Sequence, residues 1–63
     1  MTPNPGRLPD EARGKRVSVV FVNGKGSDTA IPAHWPADTL DWSIRPDGHP
    51  LRQFDIAFFE VVA

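Results

Sequence analysis

Seven prolines are scattered through 63 residues, at positions 3, 5, 9, 32, 36, 46 and 50. Each lacks a backbone donor and locks φ, so neither a helix interior nor a central ladder runs through it. They leave little room for the several helices of a packed bundle. The windows after Pro9 and after Pro50 hold runs rich in Val, Ile and Phe, the residues that suit a pleated surface. The prolines therefore predict short strands joined by irregular loops.

The strands follow from alternation. "KRVSVVFVNGKG" (15–26) reads as a strand and a turn. Val17, Val19 and Phe21 take one face, Ser18, Val20 and Val22 the other. Asn23-Gly24 is a strong hairpin signal, because both residues accept positive φ; Gly26 allows a longer, bulged turn as well. "SDTAI" (27–31) is expected to fold back as a short, poor strand. "IPAHWPADTLDW" (31–42) is broken by Pro32 and Pro36 and reads as a crossing loop, with Trp35 as a lid over the core. "TLDWSIR" (39–45) alternates Leu40, Trp42 and Ile44 against Asp41, Ser43 and Arg45, the pattern of a half-buried strand. "RPDGHP" (45–50) is turn chemistry, with Pro46 at the second position and Asp47-Gly48 after it. His49 is pushed toward extended conformations by Pro50. "QFDIAFFEVVA" (53–63) is the last strand, with Phe54, Ile56, Phe58 and Val62 on one face and Asp55, Ala57, Phe59 and Val61 on the other. A helix over 51–62 would put Leu51, Phe54, Phe58 and Val61 in a stripe, but the Phe, Val and Ile content favours the strand.

Residues 1–14 differ in kind. They carry three prolines, two glycines and, after Met1, Leu8 as the only large aliphatic side chain. Such a segment cannot offset its own ordering entropy and is expected to be a flexible tail. "LPDEAR" holds one helical turn at most. The reading is a flexible tail over 1–14 and a single all-β domain over 15–63, a small SH3-like barrel or open β-roll of about four short strands.

A chain this short buries only about 60% of the surface its unfolded form exposes. It has no cysteine, so disulfides and thiolate zinc sites are excluded. No apolar run approaches a membrane span, and the first residues lack the apolar stretch of a signal peptide, so a cytoplasmic protein without membrane contact is expected. The net charge of −1 gives no overall pull toward nucleic acid, although it is unevenly spread. Residues 1–26 hold Arg7, Arg13, Lys15, Arg16 and Lys25 against Asp10 and Glu11; residues 27–63 hold Arg45 and Arg52 against six acids.

Catalysis has few candidates. His34 and His49 with Asp38, Asp41 or Asp47 match no compact metal-ligand spacing. Asp47, His49 and Asp55 are dense enough for acid–base work, but such chemistry needs a water-excluding cleft. Asp47 is explained as a turn former, and Arg52 and Asp55 as solvated charge on an exposed side. "NGKG" lacks the length and the following helix of a phosphate loop. No enzyme activity, cofactor or metal is expected. His34, Trp35 and Arg45 are the candidate partner-binding residues, since Trp and Arg dominate interface energetics. Nucleic acid is the second choice, through Arg13, Lys15, Arg16 and Lys25 beside exposed aromatics. Two strands apolar on both faces point to association with a protein partner or with a second copy.

The run V-x-V-x-F-x-N-G (Val17 to Gly24), W-P (Trp35-Pro36), D-W-x-I (Asp41 to Ile44) and D-I-x-x-F-E-V (Asp55 to Val61) resembles a group of short phage and prophage proteins of unknown function. The resemblance covers all but the N-terminal tail. It implies no activity or site residues, only a mobile-element accessory protein that acts by binding.

Overall fold

The computed structural model describes residues 1–27 and 33–62. Two six-residue strands form its centre. β1 is Thr2–Pro3, β2 is Arg16–Phe21, β3 is Trp35–Pro36 and β4 is Ile56–Val61. They make one antiparallel open sheet in the order β1-β4-β2-β3. Single 3₁₀ turns lie at Asp10–Ala12, Ala37–Thr39 and Arg52–Phe54. None is long and apolar enough to cross a membrane. The all-β class and the strand reading of the last segment both hold.

β2 forms as its alternation requires. Val17 and Val19 are buried, Phe21 packs against the core, and Val22 is exposed. The turn after it is the longer, bulged kind. Gly24 takes φ +85 while Asn23 stays at negative φ, and the Gly24 and Phe21 amides donate to the Phe21 and Lys25 carbonyls. "SDTAI" lies outside the described residues except for Ser27. That serine is buried, and its Oγ accepts the Val19 N–H at 2.9 Å.

β4 departs from strict alternation. Val19 pairs with Phe59 and Val20 with Phe58, but Phe21 pairs with Ile56, so Ala57 is an extra residue. A bulge of this kind reverses the parity of whatever precedes it. Ile56 and Phe59 therefore both point inward, 3% and 1% exposed, whereas Phe58 points out at 45%. The sequence pattern put Ile56 and Phe58 on one face; the bulge separates them. Phe54 belongs to a 3₁₀ turn rather than the strand, and it is exposed.

The described residues cover only one face of the sheet. Its core is Ala12, Val17, Val19, Ala37, Trp42, Ile56 and Phe59. Trp42 meets Phe59 edge-on, with ring centroids 5.3 Å apart, and its Nε1 donates to the Ala37 carbonyl at 2.9 Å. Burying each large side chain contributes about 1.5–3 kcal/mol. The cover comes from two segments whose reading the structure corrects. Residues 39–45 are not a strand. Trp42 is buried but Ile44 is half exposed, and no ladder forms. The backbone there is held by side chains instead: Asn4 Nδ2 donates to the Trp42 carbonyl, and Asp55 accepts the Arg45 N–H.

The second is the N-terminal segment, expected to be a flexible tail. It packs. Thr2 and Pro3 pair with Phe59 and Phe58, and the Asn4 N–H donates to the Ala57 carbonyl. Asn4 Nδ2 bridges the Trp42 and Ile56 carbonyls at 3.1 and 2.8 Å, while its Oδ1 accepts the Gly6 N–H. Pro9 and Ala12 are buried and Leu8 packs on the core. Low hydrophobicity does not loosen this segment, because hydrogen bonds from one asparagine and three small apolar contacts replace a hydrophobic run.

Candidate functional site

Three clusters contain the polar residues that could carry chemistry. The first surrounds Asp55. The connection from β4 back to residue 45 is a chain of turns: His49 N–H donates to the Pro46 carbonyl, Arg52 to His49 and Asp55 to Arg52. The β-turn thus starts at Pro46 rather than Arg45, with Gly48 at φ +86 in its third position. These turns set Asp55 inward, and it is 1% exposed. Its carboxylate accepts the Arg45 N–H at 2.7 Å, the Arg45 guanidinium, and Arg52 Nη1 at 3.2 Å. Arg45 also reaches Asp41 at 3.2 Å, and Arg52 reaches Asp47 at 3.5 Å.

The result is an alternating row, Asp41–Arg45–Asp55–Arg52–Asp47. The Arg45 backbone N–H, with the two guanidiniums, holds the Asp55 carboxyl below the usual carboxylate range against the opposing effect of burial. Asp41 is lowered mainly by the Ser43 hydroxyl and N–H, with Arg45 adding to it. Arg52 and Asp55 are therefore not solvated charge, as their sequence positions implied. Parity gave no signal for it: the bulge at Ala57 reverses the alternation before it, and the turns rather than the strand set Asp55 inward. Both carboxylate oxygens of Asp55 accept hydrogen bonds, so it fastens residue 45 and Arg52 to the fold.

The second cluster joins residues the sequence assigned to different partners. Arg16 Nε donates to His34 Nδ1 at 2.7 Å, and Arg16 Nη2 to the His34 carbonyl at 2.8 Å. Trp35, half-buried, lies on Phe21 with ring centroids 6.1 Å apart. Arg45, the third candidate partner-binding residue, is engaged with Asp41 and Asp55 and contributes nothing to this cluster. Of the basic residues, Arg13 pairs with Asp10 at 3.3 Å, and Gly14 N–H donates to the Asp38 carboxylate. Lys15 and Lys25 are exposed. His49 Nδ1 accepts the Leu51 N–H. Among the described residues, no three His, Asp or Glu side chains come together to hold a metal ion.

The third cluster is apolar. On the uncovered face of the sheet, Pro3, Phe58 and Val20 lie side by side across β1, β4 and β2. Alternation places Val62 beyond Glu60 on that face, and it is 45% exposed, as is Phe58. Ser18 pairs with Glu60 between them, so one polar row crosses the patch. The sequence showed that β2 and β4 were apolar on both sides, but the bulge decides that Phe58 rather than Phe59 is offered to solvent.

No family model matches the chain, and no curated protein or solved structure is similar enough to count as a match.

Proposed function

We propose that this chain is a small accessory protein of phage or prophage type that acts without catalysis, by binding a protein partner on the open face of its sheet. The observation that carries the reading is the row Pro3–Phe58–Val20 with Val62, an aromatic and aliphatic strip that the described residues leave exposed apart from half-buried Val20. Aromatic anchors on an otherwise polar surface are the usual source of binding energy between proteins. The resemblance of its motifs to those of short phage proteins supports the accessory role. Of the basic candidates, by contrast, half-buried Arg16 is engaged by His34 and Arg13 sits in an exposed pair with Asp10, which leaves Lys15 and Lys25 as a sparse basis for nucleic-acid contact.

The test compares wild type with Phe58→Glu, a change at an exposed position that is expected to leave the melting temperature nearly unaltered. Each is used as bait against lysate, and each is titrated with single- and double-stranded DNA at two salt concentrations. Specific protein capture by wild type that Phe58→Glu abolishes supports the reading. Capture that is identical in both, or DNA binding with a steep salt slope that ignores Phe58, overturns it in favour of phosphate contacts. A dimer that Phe58→Glu dissolves would assign the face to a second copy.

A further inference from the structure

β3 is two residues long, and it pairs only Trp35 with Val17 and Pro36 with Arg16. One more backbone bond, from Ala37 N–H to the Lys15 carbonyl at 2.9 Å, follows it. A ladder so short is marginal in water. Immediately before it, one guanidinium grips His34 twice, at Nδ1 and at the carbonyl. An imidazole nitrogen that accepts a guanidinium hydrogen carries no proton, so the ring proton resides on Nε2. A second proton, at Nδ1, turns that acceptor into a donor and sets one cation against another.

The charged groups on the surrounding elements do little to offset this. Arg16 on β2 is the ring's partner, and Arg13 and Lys15 lead into that strand. Asp38, in the turn after β3, is occupied by the Gly14 N–H at 3.2 Å. Glu60 on β4 stands opposite Ser18, two residues along β2 from Arg16. Among the described residues no carboxylate is hydrogen-bonded to His34.

We propose that His34 is a proton-operated fastener: neutral, it holds β3 to β2; protonated, it releases β3 together with Trp35. The sign follows from the bond. It exists only with the neutral ring, so its contribution is lost as acid adds the second ring proton. Release uncovers the Arg16–Val17 edge of β2 and frees Trp35 from Phe21. The device is independent of the open-face binding strip.

Residue-resolved amide exchange at pH 7.5, 6.5 and 5.5, corrected for intrinsic rates, tests it. Ala37 N–H reports β3. Val62 N–H, which donates to the Arg16 carbonyl at 3.0 Å on the β4 side of β2, is the reference. Between pH 7.5 and 5.5 the protection of Ala37 is expected to fall several-fold, up to about tenfold, while Val62 holds. In His34→Gln the side-chain oxygen can accept the Arg16 hydrogen but does not titrate, so Ala37 should stay level. A level Ala37 in wild type, a parallel loss at Val62, or the same fall in His34→Gln would each overturn the proposal.

Discussion

At the scale of residues, Asp55 and Trp42 hold more together than any others. Asp55→Asn preserves shape but leaves Arg45 and Arg52 facing a neutral amide, and removing one partner of a buried ion pair is strongly destabilising. The melting temperature is expected to drop by on the order of 10 °C or more. The same residue shapes the acid response. Its carboxyl titrates below its unfolded value, so its contribution is complete above about pH 5 and is lost as the medium becomes more acid. Urea midpoints at pH 7, 5 and 3 should fall in wild type and fall much less in Asp55→Asn; equal slopes would remove Asp55 from the centre of the acid response. The two tryptophans divide sharply. Trp42, 4% exposed and edge-on to Phe59, should cost about 3–5 kcal/mol as alanine. Trp35, half-buried on Phe21, should cost less than half as much, measured by the same denaturation.

At the scale of elements, the N-terminal arm and two tight turns decide stability. Removing residues 1–8 strips β1, the Asn4 bridge and Leu8, so thermal stability should fall by many degrees. Asn4→Ala alone should cost about 1–2 kcal/mol, because the Trp42 and Ile56 carbonyls lose a shared donor. An unchanged melting curve after the deletion would show that the arm does not hold the core in solution. The glycines separate two kinds of constraint. A Cβ at Gly26 would lie 2.2 Å from the Val19 carbonyl oxygen, and backbone cannot yield, so Gly26→Ala should disrupt the end of β2. Gly48 has open space around it but φ +86, so Gly48→Val should cost about 2 kcal/mol through strain alone. Circular dichroism melts of both variants rank them; a milder effect at Gly26 would contradict the close approach.

At the scale of the whole molecule, the question is whether so small a fold needs a partner to form. The surface is 4062 Å². A folded monomer of 7.0 kDa exposes about 4,000 Å² by the general area–mass relation, so the chain reaches ordinary burial alone. Sedimentation at micromolar concentration should therefore give a monomer, with the open face available for a different protein. A concentration-independent dimer would mean that the second copy completes the fold.

Much of this was written locally. Proline spacing pointed to short elements, alternation located β2, and β-branched and aromatic content located β4. Gly48 was readable as a turn glycine because turn chemistry acts over four residues. What lay beyond local pattern was decided by contacts far apart in the chain. One inserted residue, Ala57, reversed the faces of β4 and selected which phenylalanine meets water, since a period of two transmits any slip to every neighbour. Asn4 finds its partners 38 and 52 residues away, so an apparently disordered arm becomes an edge strand. Asp55 looks like a surface charge until the turns on its N-terminal side set Arg45 and Arg52 around it. Composition can state that a residue is polar, but only the tertiary structure supplies the donors that let a polar residue be buried.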